Sequence, residues 1–134
     1  MYLTTYYLSG MVKLMEWMVV YHEEYLAELR AESEAVQDAV FAIAEMLKHS
    51  GPQLKRPYAD TLNGSDYPNM KELRITLPDG EWRVAYAFDP KRKAIVLNGG
   101  SKSGVNEKLF YKNLISIADR RYANHLSKLG KKGT

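Results

Sequence analysis

The chain has 134 residues, of which 46% are hydrophobic, and its formal net charge is +3. This length and apolar content suffice for one compact domain with its own core. The sequence contains no cysteine, which excludes disulfide bonds and thiolate metal sites and fits a reducing, cytoplasmic environment. No apolar run approaches the roughly 20 residues that a membrane-spanning helix needs.

The charge is distributed unevenly along the chain. Residues 1–50 hold three basic and eight acidic side chains, whereas residues 51–134 hold sixteen basic and eight acidic ones. Such an asymmetry indicates that the C-terminal part contacts a polyanion, although solvated lysines on an ordinary surface explain it equally well.

The first fifteen residues are predicted to lie outside the core fold. They lack a basic region and a small-residue cleavage site, so they do not resemble a signal peptide, and they show no pattern of a regular element. The segment EWMVVYH at 16–22 is β-branched and aromatic and predicts the first strand. A short acidic helix, EEYLAELR, is predicted directly after it.

A longer helix is predicted to begin after Ser33, whose hydroxyl can cap the first turn. The helix is expected to end at Gly51, because glycine suits the left-handed position there and Pro52 prevents continuation. Four apolar residues recur at the spacing of one helix face: Val36, Val40, Ile43 and Leu47.

The second half of the chain is predicted to be mainly strands. Residues 52–69 are rich in proline, asparagine and aspartate and are predicted to form a loop. The hairpin ELRITLPDGEWRVAYAF follows at 72–88, and KAIVLNGG at 93–100 gives one more strand. A last helix is predicted from about Asn106.

These elements give the order β-α-α-β-β-β-α. This order predicts an α+β fold, with helices packed on one face of a mainly antiparallel sheet. The single domain is expected to cover residues 16–129, between the leader at 1–15 and a polar tail at 130–134.

The hairpin places two arginines on one face of the predicted sheet. With a two-residue turn at Asp79-Gly80, Arg74 lies opposite Ala85 and is a diagonal neighbour of Arg83, about 7–8 Å away. Two guanidinium groups at this spacing can hold the oxygens of one phosphate. Alternatively, they only make a solvent-exposed sheet face soluble, in ion pairs with nearby glutamates.

Several motifs resemble those of a known family. The succession ELR, WRVAYAF and a lysine after the last strand is similar to toxins of the RelE/ParE superfamily, from type II toxin–antitoxin systems. PQLKRPYADTLNGS before these motifs and KAIVLNGGSKSG after them also match. The chain most resembles the HigB-like group named after the phage protein Gp49, and the similarity extends from about Trp17 to Leu129.

The resemblance implies a function. It implies an mRNA interferase, a metal-independent endoribonuclease that cuts mRNA, in many relatives on the ribosome, and so inhibits translation and growth. It also implies a cognate antitoxin, which in HigB-like systems commonly carries a helix-turn-helix DNA-binding domain. The functional basic residues of the family correspond to Arg74, Arg83 and Lys102, which are therefore the expected catalytic residues.

The expected chemistry needs no cofactor and no metal. The ribose 2′-hydroxyl attacks the adjacent phosphate, and cations stabilise the charge that gathers on the phosphate oxygens and on the leaving oxygen. No metal-ligand spacing such as H-E-x-x-H is present in the sequence. Lys55, Arg56 and Lys71 are expected to contact the RNA backbone, unless they are ordinary solvated charges.

Two other interpretations stay open. A ParE-like toxin inhibits DNA gyrase by binding and hydrolyses nothing, and the two activities share one fold. A non-catalytic phage-derived binding protein is favoured by the lack of an unambiguous acid–base residue. His22, His49 and His125 do not fill that role, because they are expected at helix surfaces or caps.

Overall fold

A computed structural model describes the backbone of residues 4–8 and 11–132 and the side chains of residues 16–130. In chain order the elements are β1 (Thr4–Leu8), β2 (Met11–Met15), β3 (Met18–Tyr21), α1 (Glu23–Arg30), α2 (Glu34–Ser50), β4 (Ala59–Thr61), β5 (Lys71–Leu77), β6 (Gly80–Phe88), β7 (Lys93–Ser101) and α3 (Glu107–Lys132). A short 3-10 turn, Gly51–Gln53, follows α2. Among the described residues, no helix is both long and apolar enough to cross a membrane.

Five strands form one sheet in the order β3-β7-β6-β5-β4. β3 pairs with β7 in parallel, and the other pairs are antiparallel. The predicted α+β class, the order of the elements and the mainly antiparallel sheet are confirmed. The structure adds β4 inside the predicted loop at 52–69, because a strand of three residues is too short to show an alternating pattern.

The two ends of the chain differ from the prediction. β1 and β2 pair with each other as a separate two-stranded antiparallel sheet, so the expectation of no regular element in the first fifteen residues is wrong. α3 continues to Lys132, so the predicted tail begins inside a helix. That residues 1–15 lie outside the core domain at 16–129 stays a prediction.

Helices cover both faces of the five-stranded sheet. α1 and α2 pack on one face, where Leu47 and Leu73 belong to one core. α3 packs on the opposite face, where Leu114 lies in a second core with Ala85 and Ala87. The sequence predicted helices on one face only, because periodicity identifies the apolar side of a helix and not the sheet face that receives it.

The predicted ends of α2 are confirmed. The hydroxyl of Ser33 accepts a hydrogen bond from the backbone nitrogen of Val36 at 3.3 Å, as an N-cap does. Gly51 ends the helix with φ of +56°, and a Cβ there would lie 2.3 Å from the indole nitrogen of Trp17. Backbone conformation and close packing both require glycine at this position. All four apolar residues predicted for one face of the helix are buried: Val36, Val40, Ile43 and Leu47.

The β5–β6 hairpin has a register two residues away from the predicted one. Leu77 pairs with Gly80, so the turn is Pro78-Asp79 and not Asp79-Gly80. Proline suits the first central position of such a turn, here Pro78, and glycine suits the position directly after the turn, here Gly80. Because the shift is an even number, every side chain keeps its predicted face. Arg74, however, lies directly opposite Arg83.

Candidate functional site

Cationic side chains from several segments meet at an open cavity of about 420 Å³. It lies where β4, β5, the loop after β7 and the first turns of α3 come together. Side chains of both charges and two hydroxyl groups line it. The cations are Arg56, Arg74 and Lys102, the acids are Asp60, Glu72 and Glu107, and the hydroxyl groups belong to Thr61 and Tyr111. A larger cavity of about 520 Å³ lies between β3 and α2, but its walls are mainly apolar and acidic and carry one lysine, Lys48. Of these two cavities, the smaller is therefore the one suited to an anion, and Arg56 and Arg74 also line a neighbouring cavity of about 500 Å³.

A glutamate lies between the two arginines of the hairpin. Glu72 is two residues before Arg74 on β5 and so faces the same side of the sheet. Its Oε2 accepts a hydrogen bond from Arg74 Nη1 at 2.5 Å and lies 3.9 Å from Arg83 Nε. The carboxylate therefore offsets the repulsion that two facing guanidinium groups would otherwise have.

Arg83 is buried, with 3% of its side chain exposed. Its guanidinium donates hydrogen bonds to the Tyr111 hydroxyl at 3.3 Å, the Glu81 carboxylate at 3.2 Å and the Trp82 carbonyl at 2.9 Å. Burial acts to lower the pKa of Arg83, but the hydrogen bonds to Tyr111 and Glu81 and the nearby negative charge outweigh it, so the pKa is raised. Arg83 is therefore a fixed positive charge.

The sheet face around Arg83 was expected to be open to solvent, and this expectation is wrong. Ala85 and Ala87, which would border the two arginines on such a face, are fully buried beneath α3. Arg74 keeps 22% of its side chain exposed and is the arginine of the pair that reaches the cavity.

Lys102 follows β7 and reaches the same cavity. Its Nζ donates a hydrogen bond to Glu107 Oε1 at 3.1 Å and lies 5.3 Å from the centre of the Tyr111 ring. Its backbone nitrogen donates to the Glu81 carbonyl at 2.8 Å. Arg74 and Lys102 therefore line the same cavity, and Arg83 and Lys102 both contact Tyr111. The catalytic role of the three residues stays a prediction.

The loop that carries Lys102 is attached to the hairpin turn. The Ser103 hydroxyl donates a hydrogen bond to the Asp79 carbonyl at 3.0 Å. Gly80 makes room for it: φ is +134°, and a Cβ at this residue would lie 1.6 Å from Ser103 Oγ. The position of Lys102 thus depends on a residue that carries no side chain.

The three cations predicted to contact the RNA backbone take different positions. Arg56 lines the cavity and donates to Asp60 Oδ2 at 2.8 Å. This hydrogen bond, together with the one from the Thr61 backbone nitrogen, holds the pKa of Asp60 below its usual value. Lys55 is exposed and Lys71 is half-buried, and neither is among the residues that line the cavity.

Acidic side chains accompany the cations at this site. The carboxylates of Asp60, Glu81 and Glu107 are open to solvent, so an incoming anion can displace them. Hydrogen bonds from Thr76 and from Arg83 lower the pKa of Glu81, which therefore stays ionised. The pairing of Glu72 with Arg74 agrees with the ion pairs to nearby glutamates that the sequence left open, since the ELR motif puts Glu72 on the same strand face as Arg74. The hydroxyl of Tyr111 and the contact of Glu107 with Lys102 were not expected from the sequence.

The histidines lie elsewhere. Nδ1 of His22 accepts a hydrogen bond from the Glu24 backbone nitrogen at 3.2 Å and caps α1, as predicted. His125 contacts the buried carboxylate of Asp89 at 2.8 Å. His49 is exposed on α2.

One group of side chains has the composition of a metal site. Ligand atoms of Glu16, Glu45 and His49 lie within 4.8 Å of one another, the one such group found among the described residues. The two ring nitrogens of His49 face different carboxylates, Nδ1 towards Glu16 and Nε2 towards Glu45. This is the arrangement of a surface ion-pair cluster, and it lies away from the cationic cavity.

Known proteins show similarity to this chain in sequence and in fold. The family described as phage-derived protein Gp49-like matches residues 27–123. The candidate toxin HigB3 of Mycobacterium tuberculosis is 47% identical over 90 residues, which cover 66% of this chain and 75% of HigB3. The candidate toxin HigB2 of the same organism is 40% identical over 106 residues, 78% of this chain but only 52% of HigB2, so the match spans about half of that relative.

A solved structure shows the same fold. The free state of a mutant of the E. coli toxin RelE matches with a TM-score of 0.57 and 18% sequence identity. The match covers 80% of this chain and 98% of that one.

Proposed function

The chain belongs to the Gp49-like family and is a HigB-like toxin of the RelE superfamily, and from this premise we propose that it is an mRNA interferase. In this proposal it is the toxin of a type II toxin–antitoxin system and a metal-independent endoribonuclease. By cutting mRNA, on or off the ribosome, it inhibits translation and growth in the cytoplasm.

The observation that carries the proposal is that Arg74 and Lys102 line one cavity, while the buried Arg83 contacts Glu72 and Tyr111 in its wall. RNA cleavage by the 2′-hydroxyl gathers negative charge on the non-bridging phosphate oxygens, and cations held in place before the reaction stabilise that charge. Arg83 is held by three hydrogen-bond acceptors and Arg74 by the Glu72 carboxylate. Neither guanidinium has to reorganise when the substrate binds.

Each side chain has a role in this reaction. Arg74 reaches the cavity and binds a non-bridging oxygen. Arg83 supplies a fixed positive charge from its buried position behind Glu72 and Tyr111. Lys102 neutralises the leaving 5′-oxygen. The 2′-hydroxyl loses a proton and the leaving 5′-oxygen gains one. The Tyr111 hydroxyl accepts a hydrogen bond from Arg83 and lines the open cavity, so it is the group best placed to give a proton to the 5′-oxygen, while solvent in the cavity takes the proton of the 2′-hydroxyl. DNA lacks the 2′-hydroxyl and is not a substrate for this chemistry.

The proposed partner is a cognate antitoxin, as in other toxin–antitoxin systems. A helix-turn-helix DNA-binding domain is expected in it, because HigB-like systems commonly have one. An antitoxin that covers the cavity would keep RNA from Arg74 and Lys102. Co-expression of the neighbouring gene is expected to restore growth and to protect mRNA.

Cleavage of a reporter RNA by the purified chain, with and without ribosomes, tests the proposal. We expect cleavage of the RNA but not of the same oligonucleotide with 2′-deoxyribose at the cut site. Arg74→Ala should reduce the rate by about 10²–10³-fold, as loss of an oxyanion donor does. Arg30→Ala, at the exposed end of α1, is the matched control and should cut normally.

RNA affinity gives a second measurement. The logarithm of the affinity should fall with the logarithm of salt concentration, with a slope near −0.7 for each contacted phosphate. Growth arrest without RNA cleavage, with gyrase inhibited, would contradict the proposal and identify a ParE-like toxin instead.

A further inference from the structure

Glu72 differs from the other acids at the cavity in its burial. Only 5% of its side chain is exposed, whereas 38% of Asp60 and 70% of Glu107 are. An incoming phosphodiester can displace an exposed carboxylate into solvent. A carboxylate that is buried and in contact with both arginines is not displaced in this way, so Glu72 stays beside them when substrate is present.

The surroundings of Glu72 fit this fixed position. It pairs across the strands with Ala85, whose small side chain leaves room for a carboxylate between the sheet and α3. Its Oε2 is shared by Arg74 and Arg83, which makes it the one acidic oxygen within 4 Å of both guanidinium groups among the described residues. The three charges together form one unit with a net charge of about +1.

The fold alone does not account for a carboxylate here. Oε1 of Glu72 is buried and has no hydrogen-bond partner among the described residues. A buried polar atom without a partner destabilises a protein. A stable sheet would be obtained more simply with an apolar residue at this position, so the role of the carboxylate lies with the two arginines.

We propose that Glu72 is a positioning residue, which holds Arg74 at a fixed distance and orientation relative to the buried charge of Arg83, so that Arg74 meets a non-bridging oxygen of the phosphodiester. The inference rests on the proposed function of the cavity. Glu72 does not touch the substrate. It acts through the guanidinium groups, and its negative charge weakens the attraction for RNA while it improves the geometry for cleavage.

This role predicts opposite effects on binding and on cleavage. Glu72→Gln removes one negative charge, so RNA should bind as tightly as to the wild type or more tightly. Single-turnover cleavage at saturating RNA should nevertheless be at least tenfold slower, because the guanidinium groups repel each other without the carboxylate. Glu34→Gln makes the same change of charge at an exposed position on α2 and should leave cleavage unchanged. Faster or unchanged cleavage by a folded Glu72→Gln variant would overturn the inference.

Two further measurements keep the inference testable. Glu72→Asp keeps the charge but is one methylene shorter, so it should bind RNA normally and cut slowly; wild-type cleavage by this variant would contradict the inference.

Nitrogen-15 NMR of the arginine side chains tests the positioning role without measuring cleavage. The Arg74 guanidinium should rotate slowly in the wild type and freely in Glu72→Gln. Equal rotation in both would overturn the positioning role, whereas an inactive wild type with restricted Arg74 would contradict only the proposed function.

Discussion

Two groups of basic side chains in the C-terminal half have different partners. Arg120, Arg121 and Lys128 of α3 form ion pairs with the glutamates of α1, between 93 and 105 positions away in the chain. The cations at the cavity have an acidic partner only two to five positions away. The first group joins distant parts of the fold, and the second arranges charges at one surface.

The comparison shows that the number of basic residues in one half of a sequence overestimates the number available to bind a polyanion. Three of the eight acidic side chains in the N-terminal half lie on α1, and all three form ion pairs with α3. Burial does not distinguish the two groups, since 4% of the Arg121 side chain is exposed and 3% of the Arg83 side chain. What distinguishes Arg83 is that its neighbours Glu72 and Tyr111 line a cavity that other cations share.

The largest expected effect separates these two buried arginines. Arg83→Ala should reduce RNA cleavage by about 10²–10³-fold, because a preorganised charge at the phosphate is lost. Arg121→Ala removes hydrogen bonds to Glu28 and to the Leu97 carbonyl and should lower the free energy of unfolding by about 1–3 kcal/mol. Cleavage by the folded fraction of Arg121→Ala should stay normal.

Denaturant unfolding and single-turnover cleavage of both variants measure the two effects. Arg83→Ala is also expected to lose stability, because Tyr111 and Glu81 lose a donor. If Arg121→Ala impaired cleavage at a concentration of denaturant where it is fully folded, the division into a structural and a functional group would be wrong.

A smaller effect is expected from the exposed acid beside Lys102. Glu107→Gln removes the partner of the Lys102 ammonium group, so RNA should bind about two- to fivefold more tightly, the range expected for an exposed ion pair. Glu24→Gln, which breaks a pair between α1 and Arg120, is the matched change in the other group. It should leave RNA affinity unchanged in the same filter-binding titration, and an equal gain in both variants would show only an effect of net charge.

The smallest effect concerns pH. Burial lowers the pKa of His22 below its ordinary value of 6.5; Asn124 and the acids of α1 oppose this effect, and Arg121 adds to it. Below about pH 6.5 the unfolded chain therefore binds a proton that the folded chain does not, and stability declines as the pH falls. His22→Asn should keep the cap of α1 and remove this part of the decline in thermal melts.

The cavity should not follow the same pH dependence. The pKa values of Asp60 and Glu81 are held low by their hydrogen bonds, so the ion pairs there stay intact in the range where His22 titrates. RNA affinity of the folded protein should therefore be nearly constant from about pH 7 to 5.5. A parallel decline of affinity and stability would show that the two regions are coupled.

Local patterns in the sequence predicted most of the fold but not the surroundings of the site. Ser33 and Gly51 identified the ends of α2 because capping depends on neighbours in sequence. The register of the hairpin was wrong by two residues, since a proline and a glycine around Asp79 allow more than one turn. The burial of Arg83 depends on which face α3 covers, and no local pattern contains that information. Lys102 was found through the family resemblance alone.

Gly80 is a position at which a substitution can abolish activity without changing any charged residue. Cells that produce a toxin without its antitoxin survive only if they inactivate the gene product, so such a culture selects damaging substitutions. Any side chain at Gly80 would collide with Ser103 and move the loop that carries Lys102. We expect survivors with a substitution at this glycine, in which Arg74, Arg83 and Lys102 are all unchanged and the protein is nevertheless harmless.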